Sequence, residues 1–463
     1  MKKLILLLCV FNIAFSATTQ KNLKKYEKGY RYEKEGWIYV HIEGAPYERG
    51  FQYGFLVADE YKKAMKVYQD MTYQTTGMDY SFFVNQAALM QKNKIPKELL
   101  DEMQGMADGL TKAGVKASVD DLIGWNAYPE MVSNWWPKAM DKFAPLAPKG
   151  NTPKISKCSA FIATGKATKD GKIVIAHTTF DNFWNAQFDN IILDLLPENG
   201  FRIMMQSQPL FLSSMEDFFV LSSGIVGVET TIGNFNGYDE NKTPEYVRAR
   251  MAMQYGKSID HFIELLNKEN NGGVAATWLI GDTNTNEIAE FEQGLLFQKV
   301  NKKKNGYFFG NNLANDPKIR NLECSDEGYS DIRLSGARRV RWMELLEKNY
   351  GLIDAEVAKQ MISDHFDVYT KKEKASTRTI CAHGDEDPGL LSKAVPFNPK
   401  GSLDAKVTTS DMAKKMTFLA RYGRACGSSF DSSSFLKEHM QWDWQKKALE
   451  SRPSRPWVTF SNE

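Results

Sequence analysis

The chain has almost no net charge: 59 lysines and arginines stand against 57 aspartates and glutamates, a formal +2. That balance gives no electrostatic case for a nucleic-acid partner. Cysteine is scarce, with five in 463 residues, and a chain of this length needs no disulfide framework to support its core. Beyond its first residues the sequence holds no apolar run near the roughly 20 residues of a membrane-spanning helix. It also lacks internal repeats and any long low-complexity linker, so one large domain is as consistent with its length as several small ones.

What is present begins with an export signal. Lys2 and Lys3 precede an apolar stretch from Leu4 to Phe11 and then Ala14-Phe15-Ser16, which reads as a secretory signal peptide over residues 1–16. The expected location is secreted, periplasmic or lumenal, with no transmembrane segment. Cys9 falls inside the signal and lacks the small residues that precede a lipoprotein cysteine. Cys158, Cys324, Cys381 and Cys426 remain, and since none has to pair, any one of them can be a working thiol.

Residues 17–157 read as a mainly helical segment. Pro96 suits a first helical turn, and Leu99, Leu100, Met103, Met106 and Leu110 recur at helical spacing until Gly114. From about 135 to 157 the periodicity stops and prolines and lysines accumulate, the pattern of an exposed, cleavable loop. After it come the runs SAFIAT, KIVIAH, NIILDLL, RIMMQS, DFFVLSSG and TWLIGD, rich in β-branched and aromatic residues. Helices are expected again at 244–266 and 337–346. A helical front and a strand-rich back predict an α+β layered fold. The run Lys302-Lys303-Lys304 reads as a solvated turn. Gly44, Gly50 and Gly54 lack the spacing and lysine of a phosphate loop and are read as sites of close packing.

Cys158 stands directly after the loop and at the start of a strand. If the bond between Lys157 and Cys158 were cut, Cys158 would gain a free α-amine. Such an amine has a pKa near ~8 and can act as base for its own thiol. Taking Asp170-Gly171 as a two-residue hairpin turn places Cys158 opposite Phe183, with His177, Thr179, Asp181 and Phe183 on the same face. That register favours Asp181 and Thr179 as neighbours of the thiol, and His177 only if a longer connection shifts it. Plainer roles stay open: a strand-end histidine satisfied by backbone for His177, and a turn beginning for Asp181.

Several blocks share an origin. Lys157-Cys158-Ser159-Ala160 and Ala176-His177-Thr178-Thr179-Phe180, followed by Met215-Glu216-Asp217-Phe218-Phe219-Val220-Leu221-Ser222-Ser223-Gly224, Glu229-Thr230-Thr231, Gly310-Asn311-Asn312 and Thr379-Ile380-Cys381, resemble the phospholipase B-like family of N-terminal-nucleophile hydrolases. The front segment from Gly44 to Gly54 resembles the related penicillin acyltransferase-like group. The resemblance implies a four-layer αββα sandwich and a precursor that cuts itself between Lys157 and Cys158, the two chains (17–157 and 158–463) remaining associated. It also implies Cys158 as nucleophile, His177 as a further catalytic residue, Asn312 as oxyanion donor, Arg338 as the pocket arginine, and Thr179 and Thr230 as substrate-binding residues. Arg339 and Arg341 compete for the arginine's place. Asp181 departs from the asparagine of phospholipase B-like members and agrees with the acyltransferase group, so it bears on the substrate.

The expected function is an exported hydrolase that cleaves acyl ester bonds of lipids, or amide bonds, through a thioester on Cys158. The substrate is an acyl lipid or an N-acylated small molecule. Two alternatives stand beside it: an amidase or acyltransferase of N-acylated small molecules, and a secreted binding protein that keeps the fold without the chemistry. No metal or organic cofactor is implied. Cys381 and His383, two residues apart, do not by themselves make a ligand set, and Cys381 is expected to be structural, pairing with Cys426.

Overall fold

A computed structural model describes residues 21–146, 158–214, 218–325, 328–391 and 395–461. The signal segment 1–16, Lys157 and Met215-Glu216-Asp217 lie outside the described residues. Two sheets dominate. The larger has ten strands in the order Lys21–Tyr26, Gly29–Lys34, Trp37–Gly44, Ile191–Pro197, Ile203–Ser207, Phe218–Leu221, Ile225–Thr231, Ala276–Asp282, Glu287–Gln293 and Gln298–Lys303. All neighbours are antiparallel except Trp37–Gly44 and Ile191–Pro197, which run parallel with Ile38 beside Ile191 and Gly44 beside Pro197. The smaller sheet is antiparallel, in the order Gly306–Gly310, Ser159–Thr164, Val174–Thr178, Asp404–Thr409, Phe418–Tyr422 and Trp457–Phe460.

The side-chain period of two divides the core into layers. Ile38, Val40, Ile42, Ile191, Leu193 and Leu195 face the helices that carry Tyr53, Leu56, Met103, Met106 and Trp125. Their alternates Trp37, Tyr39 and Ile192 turn inward and meet Ile162, Ile175 and Phe418 of the other sheet. On the far side Phe161, Ala163, Ala176 and Val407 pack against Trp342, Leu346, Met361 and Ile362. Helix, sheet, sheet, helix is the αββα sandwich expected from the sequence. Strands covered on both faces explain the uninterrupted apolar runs that mark them.

The helix Lys97–Lys112 starts from Pro96 at its cap and buries Leu99, Met103, Met106 and Leu110. It lies against the helix Pro46–Leu56 at backbone contact. A Cβ on Gly50 or Gly54 would sit 2.0 Å from the Glu102 carbonyl oxygen or 2.1 Å from that of Met106; on Gly105 or Gly109 it would meet those of Tyr47 and Phe51 at 2.1 and 2.3 Å. The packing role read for Gly50 and Gly54 therefore belongs to a four-glycine interlock.

Three expectations are corrected. The loop read from 135 begins later: Trp135 ends a π-helical turn and Trp136–Phe143 continues from it as α-helix, with Pro137 just past that turn. The aromatic pairs Phe82–Trp136 and Phe82–Phe143 pin this helix down. The predicted helix over 244–266 is two, Glu245–Tyr255 and Ile259–Asn267, broken at Gly256. Lys302 and Lys303 are not in a turn but on the exposed last strand of the large sheet, where charged side chains discourage pairing with another edge.

Gly50→Ala and Gly105→Ala test the interlock. Overpacking costs about 1–3 kcal/mol, and alanine returns about 1 kcal/mol of helix propensity. The clashing atoms are backbone and no rotamer relieves them, so each variant should lose about 2 kcal/mol, read as a lower urea midpoint at unchanged slope.

Candidate active site

Cys158 sits at the head of the strand Ser159–Thr164, 1% exposed, facing the layer between the sheets, with φ of +85°. For a residue with a Cβ that backbone is strained by roughly 1–3 kcal/mol. Arg338, on the helix Gly336–Lys348, holds it in place: Nη1 donates to the Cys158 carbonyl at 2.8 Å and to Ser159 Oγ at 3.1 Å, and Nη2 donates to Asn312 Oδ1 at 2.9 Å. Complete burial pushes the guanidinium down to about 10 against the opposing influence of Cys158, so it keeps its charge at neutral pH. A guanidinium has only donors. The Asn312 carbonyl must therefore face Arg338, and its Nδ2 must face away, where it donates to the Thr231 carbonyl at 2.8 Å. Asn312 itself takes φ of +67°, a conformation asparagine tolerates better than most residues.

The competing arginines go elsewhere. Arg339 stacks on Tyr329 at 4.3 Å, and Arg341 forms a two-pronged ion pair with Asp364 at 2.7 and 2.8 Å.

The hairpin register differs from expectation. Ser159 pairs with Thr178 and Ala160 with His177, four residues away from the arithmetic of a two-residue turn. The connection is longer: a 3-10 turn at Gly165–Ala167 precedes Asp170-Gly171, and Thr168 bridges to Ile353. The shift draws His177 and Thr179 toward Cys158 and moves Asp181 and Phe183 along the chain. His177 points into the layer between the sheets, fully buried. Burial and the nearby Lys406 hold it well below its usual pKa, so it is neutral, and among the described residues neither ring nitrogen meets a partner at good hydrogen-bonding geometry.

Thr179 belongs to a buried polar cluster the sequence did not reveal. Lys406 Nζ donates to Thr179 Oγ1 at 3.0 Å and to Asp404 Oδ1 at 2.6 Å; Asp404 also accepts from the Thr179 amide at 3.2 Å and from Gln206 Nε2 at 2.6 Å. Lys406 and Asp404 share one face of the strand Asp404–Thr409, and Lys406 pairs with His177 across the sheet. Burial alone would raise the Asp404 carboxyl, but Lys406 and these donors keep it below the usual 3.8. Thr230 lies on the facing sheet against Gly310, where a Cβ would sit 2.3 Å from its Oγ1, and among the described residues that buried hydroxyl has no hydrogen-bond partner.

Asp181 accepts from the Asn182 amide at 2.7 Å and from Asn185 Nδ2 at 3.0 Å. It lines a cavity of about 220 Å³ walled by Tyr68, Tyr128, Val132, Trp184 and Trp442. Phe180, one residue before it, lies under the Arg338 guanidinium at 5.6 Å. The structure thus gathers Cys158, Asn312 and Arg338 by direct bonds, sets His177, Thr179 and Thr230 in the same inter-sheet layer, and places Asp181 in an aromatic cavity beside it. Alternate lysine and aspartate in DAKVTT are the only trace the sequence carries of the Lys406–Asp404 pair, an alternation that also suits an exposed strand.

Removing Lys406 leaves Asp404 buried without its cation. Lys406→Met should cost about 3–5 kcal/mol, and Asp404→Asn with Lys406→Met should recover more than half of that in denaturant titrations. A depressed carboxyl contributes its stability above its unfolded pKa and loses it as pH falls through the folded value. Without its cation the buried Asp404 carboxyl titrates above its usual range, so the deficit of Lys406→Met should be full only above that raised pKa and should shrink steadily as pH falls below it.

A family model described as phospholipase B matches residues 57–302, a stretch that holds Cys158, His177, Thr179, Asp181 and Thr230 but not Asn312 or Arg338. The chain is 24% identical over 298 residues to an uncharacterized protein of Archaeoglobus fulgidus, covering 60% of this chain and 47% of that one. It is 26% identical over 249 residues to phospholipase B of Crotalus adamanteus (48% and 43% covered) and 26% identical over 258 residues to phospholipase-B 81 of Drysdalia coronoides (50% and 44%). The chain spans somewhat under half the length of these relatives.

Proposed function

Because the chain belongs to the phospholipase B family, we propose that it is an exported hydrolase that cuts itself before Cys158 and then cleaves acyl ester bonds of lipids with that cysteine. The observation that carries this reading is the Arg338 fork, which ties the carbonyl of a buried, strained cysteine to the side chain of Asn312.

In the precursor the Cys158 thiol attacks the Lys157 carbonyl, the acyl group passes from nitrogen to sulfur, and water hydrolyses the thioester. The products are a carboxylate on Lys157 and a free amine and thiol on Cys158. The +85° torsion supports this step, because φ at Cys158 is defined by the Lys157 carbonyl carbon and its strain ends when that bond breaks. The parallel join between Trp37–Gly44 and Ile191–Pro197, inside one sheet, would keep the pieces 17–157 and 158–463 together.

In the mature enzyme the α-amine, with a pKa near ~8, takes the thiol proton as sulfur attacks the substrate carbonyl. It then passes that proton to the leaving alcohol, and water releases the fatty acid from the thioester. Asn312 is the oxyanion donor, its amide orientation set by Arg338. A neutral His177 with a depressed pKa is a poor base and serves position rather than proton transfer. Thr179 and Thr230 hold substrate, and the aromatic cavity beside Asp181 offers an apolar wall to an acyl chain.

Cys158→Ala should accumulate as an uncut, inactive precursor, and Cys158→Ser should process slowly, because a hydroxyl ionises far less readily than a thiol of pKa ~8.5. Mass spectrometry of each form reads the cut. A fully active single chain would overturn the mechanism. Asn312→Ala should slow turnover by about 10²–10³-fold in matched panels of lipid esters and N-acyl amides. Faster cleavage of the amides would move the assignment to an amidase. Labelling of Cys158 by an acyl-directed thiol probe with turnover in neither panel would mean a different acyl substrate, and no labelling a binding protein.

A further inference from the structure

The expected pairing of Cys381 with Cys426 is not formed; both are free thiols. Folding instead brings them together with two histidines. His365, Cys381, His383 and Cys426 each offer one donor atom, and all four atoms lie within 4.8 Å of one another. His383 Nε2 is 3.6 Å from Cys381 Sγ and 3.6 Å from Cys426 Sγ. Ligands about 2.3 Å (sulfur) and 2.0–2.1 Å (nitrogen) from a tetrahedral centre are themselves about 3.6 Å apart.

We propose that these four side chains form a closed Cys2His2 site for one zinc ion, which braces the wall of the active site. Two further features fit it. His383 Nδ1 lies 2.9 Å from Glu386 Oε1, a carboxylate that also accepts from Arg424 Nη1 at 2.8 Å. Arg424 Nη1 also lies 3.0 Å from His383 Nδ1; a proton on Nδ1 directed at Glu386 would leave the Nε2 lone pair facing the two sulfurs, the arrangement an outer carboxylate imposes on a metal-bound histidine. His365 stands edge-on to His383 with ring centroids 4.8 Å apart, and among the described residues its buried Nε2 makes no hydrogen bond of ordinary geometry, lying instead beside Cys426. A disulfide has no hydrogen to offer the Nε2 lone pairs, whereas a metal satisfies all four ligand atoms. Two thiolates and two imidazoles in tetrahedral array select zinc among common divalent ions. Four protein ligands leave no open position, so the role is structural.

The ligands come from three segments: the stretch before Phe366–Asp367, the loop from Ser376 to Gly384, and the turn after Phe418–Tyr422. One link leads to Arg338 and Cys158, and a second to Asp181. Asp364, next to His365, pairs with Arg341, three residues after Arg338 on the same helix. Gly401 bridges to His383 on one side and pairs with Asp181 on the other.

The test uses the full mature chain, purified under reducing conditions without chelator. It should contain one zinc per chain by elemental mass spectrometry. Cobalt exchanged into it should give the intense visible and near-ultraviolet bands of tetrahedral thiolate ligation. Removal of zinc should expose two further thiols to a colorimetric reagent and lower Tm, and zinc alone should restore both. Cys381→Ser and His383→Ala should each lose the metal, while Cys324→Ser, at a cysteine outside the cluster, should keep it. If the ligand variants do not fold, the zinc content, cobalt spectrum and thiol count of the unaltered protein decide the question. A chain that neither contains zinc nor takes it up, or one whose Cys381 and Cys426 are recovered as a disulfide when purified without reductant, overturns the proposal.

Discussion

One buried cation organises the centre of this molecule. Among the described residues Arg338 forms no ion pair with a carboxylate; its guanidinium donates to the carbonyl of Cys158, the hydroxyl of Ser159 and the amide oxygen of Asn312. Burying a guanidinium this way is costly, and its retention indicates a task a neutral side chain could not perform. A fork of donors dictates which end of Asn312 faces which way and fixes the backbone at the head of a strand. The neighbouring arginines lack such a geometry, being occupied at the rim by Tyr329 and Asp364.

The sandwich explains why chemistry can be placed here. The space between two sheets is dry, so partial charges act there at low effective dielectric and unpaired polar groups are expensive. Most of this layer is apolar, from Tyr39 and Ile192 to Ile162 and Phe418. At one end it turns polar, with His177, Thr179, Asp404, Lys406, Gln206 and Thr230 all buried. The Lys406–Asp404 pair satisfies much of that polarity; among the described residues the His177 ring nitrogens and the Thr230 hydroxyl make no hydrogen bond. The strands before and after Cys158 meet in the same large sheet, so the scaffold does not depend on the 157–158 bond.

Much of the fold was legible because the physics that shapes it is local. Helical spacing in 97–112 and apolar runs such as IILDLL report which faces are buried, and burial on both faces of a sheet writes itself into consecutive residues. The Trp136–Phe143 helix was missed because proline and lysine signal a loop, while its real support, the ring of Phe82, lies more than fifty residues away in sequence. The hairpin after Cys158 was misread because Asp170-Gly171 marks a turn without giving the length of the connection.

By itself the sequence determined an α+β layered fold, the cysteine at the start of a strand and the family resemblance, which in turn implied the layer order, since each rests on side-chain period or on neighbours along the chain. Only the tertiary structure decided which of three arginines serves Cys158, that Lys406 and Asp404 are buried together, and that Cys381 and His383 acquire His365 and Cys426. Those choices depend on distances between segments up to 227 residues apart. No local rule reaches that far, because charge, hydrogen bonding and ligation act through space and are blind to the path of the chain.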